Sequence, residues 1–285
     1  MGKEKGNAIF DFISEHSDEL ASLIKGKASQ PASKKSEKRK SIDRLLADMQ
    51  FANLTSVYQT MEPFLQRSYE SRQGKVRELS SFNQFMKYNL SSINLYFTKA
   101  EAASKAQIVA PYRISEGMLL PITLMALDDR IISSLRVPEG FAVTDTSTTG
   151  KVSAGLLQRN TSVRPGDRLS IVHLIQNTDF KESPQITMRV YDFVLDETSE
   201  VPFYGEMPRD LFSVMGDRIG TNADIEDGGV GYVLTRRKGN KRLISPQHIV
   251  LTPGYTLYDR YSCGAQRAEA AKSYGADSYY LDPES

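Results

Sequence analysis

The chain has 285 residues, enough for one large domain or two modest ones, and its 40% hydrophobic and 25% charged residues are ordinary for a folded protein. Thirty-six basic residues against 35 acidic ones leave a formal charge of +1, so no global excess points to a nucleic acid or a membrane. Cys263, the single cysteine, excludes an intramolecular disulfide and a cysteine-rich zinc site, and no run approaches the roughly 18 apolar residues that span a bilayer.

The first apolar stretch is broken by Asp11, Glu15, Asp18 and Glu19, which no signal-peptide core tolerates. Gly6 stands where a myristoylation signal needs Ser or Thr. The chain is therefore expected to stay in the compartment where it is made, the cytoplasm, or to reach a virion as part of a phage particle. Ile9, Phe12, Ile13, Leu20, Leu23 and Ile24 recur at helical spacing and predict a helix over 7–24, with Asn7 at its N-cap. Residues 26–40, GKASQPASKKSEKRK, have no large apolar side chain to offset the entropy of ordering and read as a flexible tether. Residues 1–40 thus form a first region, a helix followed by a basic linker. From Lys25 to Arg44 there are eight basic residues and two acidic ones. Lys34, Lys35, Lys38, Arg39, Lys40 and Arg44 are the candidate polyanion-binding residues. No aromatic residue interleaves them to stack on bases, so a solvated tether is the competing reading.

Ser41 is the expected cap of a long helix carrying Ile42, Leu45, Leu46, Met49, Ala52, Val57 and Met61, interrupted at Pro63 and resuming through Phe64, Leu65 and Tyr69 toward Gly74. Ser80 or Ser81 starts another, with Phe82, Phe85, Met86, Leu90 and Ile93 on one face. Two amphipathic helices joined by a polar turn predict an antiparallel helical hairpin over 41–106. Its contact faces, Leu45, Met49 and Ala52 against Phe82, Phe85 and Leu90, hold no titratable group and read as core.

Beyond Lys105 the pattern shifts to period two and short apolar runs. The expected strands are 107–114, 119–127, 152–157, 169–176, 186–195, 231–236 and 248–252. Arg164-Pro165-Gly166-Asp167 has the Pro-Gly centre of a type II turn, and Arg237-Lys238-Gly239-Asn240-Lys241 reads as a hairpin tip. A short helix over 265–273 ends at Gly275, ahead of an aromatic, acidic tail. The predicted fold class is α+β: N-terminal helices, then an antiparallel β-sandwich over 107–285.

Chemistry is sparse in this pattern. His16, His173 and His248 show no zinc-helix spacing, and His173 falls inside an apolar strand as a core or sheet-face residue. Neither a nucleophile elbow nor a phosphate loop is present. Asp224, Glu226 and Asp227 approach one another without the register of a calcium loop and read as an exposed turn. Cys263 is expected to be a reduced, partly buried small side chain. No catalytic residue, cofactor or metal is assigned.

Several stretches resemble a family of Bacteroidetes proteins, the domain-of-unknown-function family 6266. They are Lys34-Lys35-Ser36-Glu37-Lys38 leading toward Phe51; Met61-Glu62-Pro63-Phe64-Leu65; Ser81-Phe82-Asn83-Gln84 with Tyr88-Asn89-Leu90; Gly231-Tyr232-Val233; Ser245-Pro246-Gln247-His248-Ile249-Val250-Leu251; and the Tyr- and Ala-rich last helix. Together they span about two thirds of the chain. The start departs: the family begins with a Gly-rich, Trp-containing hairpin, whereas this chain has Ile9–Ile24 and no Trp. The resemblance implies helices followed by an immunoglobulin-like sandwich, and no activity. The functional expectation is a non-enzymatic structural or interaction protein. It would join other protein subunits in an oligomer or larger assembly, such as a bacterial surface complex or a phage-like particle. The alternatives are a nucleic-acid-associated protein using residues 34–44, and an enzyme with an unrecognised site.

Overall fold

Residues 42–70, 79–178 and 183–275 are described by the computed structural model; the helix expected at 7–24 and the basic linker lie outside them. The first described element, α1 (Ile42–Leu65), buries Leu46, Met49, Leu54, Val57, Tyr58, Met61 and Leu65, a three- and four-residue recurrence that puts one face into the core. Pro63 does not split it. The proline sits in the last turn, and α1 stops at Leu65. Next, α2 (Ser81–Asn89) begins where Ser80 Oγ accepts a hydrogen bond from the Asn83 N–H at 3.2 Å, which makes Ser80 the cap of the two serines that the sequence offered as the start. It is shorter than expected. Asn89, fully buried, donates through Nδ2 to the carbonyls of Phe85 (2.9 Å) and Arg113 (3.1 Å) and accepts from the Arg113 N–H (2.8 Å), tying the helix end to the chain beyond. Phe51, Tyr58, Phe82 and Phe85 join the two helices edge to face or tilted. Ala52 and Leu90, expected at this contact, are exposed, while Leu54 and Val57 take the buried positions. The polar turn expected between the helices falls on 71–78, outside the described residues. A capping box, Thr98 with Glu101, opens α3 (Lys99–Ala103).

The rest is mixed α+β with antiparallel sheets, none closed into a barrel. In chain order follow β1 (Arg113–Ser115), β2 (Leu124–Leu127), β3 (Arg130–Arg136), α4 (Thr149–Arg159), β4 (Arg168–Asn177), β5 (Gln185–Val194), α5 (Phe203–Glu206), β6 (Ser213–Met215), β7 (Arg218–Gly220), β8 (Gly228–Lys238), β9 (Lys241–Ile244), β10 (Gln247–His248), β11 (Val250–Leu251), α6 (Leu257–Ser262) and α7 (Gly264–Ser273). One sheet runs β11-β8-β4-β5 with β9 also on β8; another runs β2-β3-β7-β6; β1 pairs β10. The central strand β4 is buried almost end to end because both its faces are covered. Val172, Leu174 and Val233 pack into one core with α1 and α2. Leu169, Ile171, Tyr232 and Leu234 pack into a second with Ile131, Leu135 and Ile219 of the other sheet and Val152 and Leu156 of α4.

Several expected strands are corrected. Residues 152–157 are helical, within α4. Thr148 caps that helix by accepting from the Lys151 N–H, and Val152 and Leu156 bury one face at i, i+4; the alternation of Val, Ala and Leu suited either structure. Residues 107–114 are buried except for Pro111 and Arg113, which are half-buried, but only 113–115 pair in a ladder. Elsewhere side chains take the ladder's place: Gln176 Oε1 accepts from the Val109 N–H (2.8 Å), the Tyr255 hydroxyl donates to the Val109 carbonyl (3.1 Å), and Pro111 has no N–H to give. Of 119–127 only Leu124–Leu127 is a strand, and 248–252 is divided between β10 and β11. The strand expected at 231–236 starts earlier, at Gly228, where φ is +145° and a Cβ would meet the Leu174 carbonyl oxygen at 2.0 Å; only glycine fits. Both turns hold. At Gly166 φ is +82° and the Asp167 N–H bonds the Arg164 carbonyl at 3.1 Å, while Lys238 pairs Lys241 around Gly239 with φ +60°.

Candidate functional site

The face of β5, β4, β8 and β9 that α1 packs against is covered over only part of its length. Alternation along the strands puts Arg168 and Ser170 (β4), Val190, Asp192 and Val194 (β5), Thr235 and Arg237 (β8) and Arg242 (β9) on that face beyond the reach of α1. With Pro63, Phe64, Arg67 and Ser68 at the end of α1 as one wall, they enclose a groove of about 480 Å³. The floor is aliphatic: Met188, Val190, Val194 and Val233. The charged side chains lining it are four arginines against one aspartate.

That aspartate is engaged, since Arg168 Nη1 meets Asp192 Oδ2 at 2.5 Å. Both side chains are about half exposed, so the pair contributes little to stability. Across the β8–β9 hairpin the register places Arg237 opposite Arg242 and Lys238 opposite Lys241, two like-charge pairs in succession. Directly opposed like charges destabilise a hairpin by roughly 0.2–1 kcal/mol per pair. Arg242 Nη1 finds the Arg67 carbonyl at 3.2 Å; among the described residues no carboxylate meets Arg67, Arg237, Lys238, Lys241 or Arg242. The groove is thus an electropositive trough with an apolar base, built at a local electrostatic cost.

The residues singled out from sequence fall elsewhere. Lys34, Lys35, Lys38, Arg39 and Lys40 lie outside the described residues, and Arg44 is exposed near the start of α1, apart from the groove lining. Cys263 is exposed, not partly buried. It lies between α6 and α7 and caps α7, its sulfur accepting from the Gln266 N–H at 3.4 Å. Asp224, Glu226 and Asp227 are exposed, and among the described residues no three His, Cys, Asp or Glu side chains are grouped to hold a metal ion. No helix among them is long and apolar enough to cross a membrane. Arg67, Arg168 and Arg242 were not singled out by the sequence; the one local signal was the basic hairpin tip containing Arg237.

His173 is 1% exposed, as expected of a core residue, and its ring nitrogen lies 3.4 Å from the Glu226 carbonyl. Burial lowers its pKa from the usual 6.5; burial and then Arg113 lower that of His248. A folded value below the unfolded one favours the neutral ring in the native state, so stability is complete above 6.5 and declines as pH falls below it. The melting temperature is expected to drop as pH is taken from about 7 toward 5, and His173→Gln to flatten that slope. Equal slopes for the two proteins would remove His173 from the account.

Comparison of the chain with family models, with curated proteins and with solved structures gives no match.

Proposed function

We propose that this protein works by binding rather than by catalysis, as a component of a larger assembly, and that the arginine groove takes an acidic, extended segment of a partner protein. The observation that carries this reading is the like-charge pair at the groove's rim, Arg237 opposite Arg242, which no carboxylate among the described residues meets; the next pair, Lys238 and Lys241, lies on the other face of the hairpin. An anionic partner relieves that repulsion; nothing else among the described residues does. The aliphatic floor favours a peptide over a nucleic acid, because Phe64 is the one aromatic ring lining the groove and single strands are held by stacking on several. The resemblance to family 6266 brings no activity and fits a structural part in a bacterial surface complex or a phage-like particle. An immunoglobulin-like sandwich is the finer fold assignment that goes with it, supported by two antiparallel sheets burying one core between them.

The test uses a fluorescent peptide alternating Glu with Val or Leu, followed by anisotropy, with a labelled single-stranded oligonucleotide as the second probe. The peptide is expected to bind, more weakly at high salt, and Arg237→Ser with Arg242→Ser to weaken it about tenfold or more, equivalent to some 1.4 kcal/mol. Binding of the oligonucleotide in preference to the peptide replaces this reading with the nucleic-acid one, and binding of neither rejects the groove. A companion result concerns stability. Arg242→Glu converts a repulsive cross-strand pair into an attractive one, so it is expected to stabilise the fold by up to about 1 kcal/mol while weakening peptide binding. Lower thermal stability in that variant would mean that the register repulsion is not felt.

A further inference from the structure

The strand β2 borders its sheet, hydrogen-bonded to β3 on one side and, among the described residues, to no strand on the other. Outer strands are normally guarded by charge, by proline or by being very short. In this protein β5 carries Arg189 and Asp192, and β6 has three residues. The stretch leading into and through β2, Met118-Leu119-Leu120-Pro121-Ile122-Thr123-Leu124-Met125-Ala126-Leu127, has no charge at all. It also holds four of the most exposed large apolar side chains among the described residues: Met118 at 78%, Leu120 at 69%, Met125 at 57% and Leu127 at 45%.

The hydrogen-bond phase of β2 is fixed. Leu127 and Arg130 close a two-residue turn in which Asp128 has φ +53°, and the Thr123 carbonyl accepts from the Ser134 N–H at 2.8 Å. Thr123, Met125 and Leu127 therefore turn their backbone groups toward β3, and Leu124 and Ala126 turn their N–H and C=O outward.

We propose that β2 pairs antiparallel with β2 of a second copy, about a two-fold axis at Met125. That register sets Leu124 opposite Ala126 of the other copy and Ala126 opposite Leu124, so all four outward backbone groups of each strand are bonded. Met125 meets Met125 at the axis, and Leu127 lies opposite Thr123. Beyond these pairs Asp128 falls opposite Ile122, so no like charges oppose one another. The occupant is a second copy because the strand is its own complement in both hydrogen-bond phase and polarity. Two four-stranded sheets become one of eight, and the exposed faces of Met125 and Leu127 join into one apolar strip.

Sedimentation of the full chain over a concentration series tests this. The parent protein is expected to form a dimer at high concentration. Met125→Lys, which places two like charges at the axis, is expected to stay monomeric with an unchanged melting temperature, because the position is exposed. Met125→Glu is expected to be monomeric too, and an equal mixture of the two variants to recover a dimer. A parent protein that remains monomeric to its solubility limit overturns the proposal, as does a Met125→Lys variant that still dimerises. Two monomeric variants that fail to pair when mixed put Met125 off the axis and overturn the register.

Discussion

Truncating Phe85 to alanine is expected to destabilise the protein by about 3–5 kcal/mol, from lost transfer energy together with the cavity left behind. The ring is fully buried on α2, with ring centroids 5.8 Å from Tyr58 of α1 and 6.0 Å from Tyr112 of the segment leading into β1. It therefore joins three parts of the chain that are distant in sequence. No single neighbour can move to fill the space, since Tyr112 is itself held by its hydroxyl on the Ile108 carbonyl at 2.7 Å. A loss of this size is a large share of the 5–15 kcal/mol typical of a folded domain, and it lowers the melting temperature by roughly 10 °C. Phe85→Leu keeps most of the volume and is expected to lose far less. An unchanged melting temperature in Phe85→Ala would show that the ring is not in the core.

The parts of this fold that were legible in the sequence are those decided by local chemistry. Ser80 caps α2 because its hydroxyl competes for the first free N–H groups, and that competition is readable from the residue alone. The turn at Pro165-Gly166 and the tip at Gly239-Asn240 follow from the φ values that those residues accept. Where tertiary partners decide, the sequence misled. Residues 107–110 have the apolar run of a strand, yet their backbone bonds run to the Gln176 amide and to the Pro184 carbonyl. In β3, Ser133 and Ser134 break the alternation; Ser133 is nevertheless buried, because its hydroxyl donates to the Ile219 carbonyl at 2.7 Å. The groove illustrates the same limit. Arg67 and Arg242 are 175 positions apart, and only the folded chain brings the Arg67 carbonyl to the Arg242 guanidinium. The like-charge register was within reach, since a two-residue tip at Gly239-Asn240 dictates that Lys238 faces Lys241 and Arg237 faces Arg242.

Asp167 provides the other large expected effect. It closes the turn at Gly166, is 1% exposed, and accepts both ends of the Arg236 fork, Nε to Oδ1 at 2.8 Å and Nη2 to Oδ2 at 2.6 Å. Oδ2 also accepts from the Arg164 N–H at 2.8 Å, and Arg236 Nη2 donates to the Ser162 carbonyl at 2.8 Å. The pair thus clamps the start of β4 to β8, directly beneath the groove-lining Gly166 and Arg168. Removing one member leaves the other desolvated without its counter-charge, and Asp167→Ala is expected to destabilise the fold by about 3–5 kcal/mol. Arg236→Met is expected to do the same. If loss of the counter-charge is the cause, removing both should hurt less than the two single changes together. A double variant Asp167→Ala, Arg236→Met is therefore expected to recover on the order of 2 kcal/mol relative to additivity in denaturant unfolding. Strict additivity would mean that the two side chains act independently, each through its contacts with the turn at 162–164 rather than through the other.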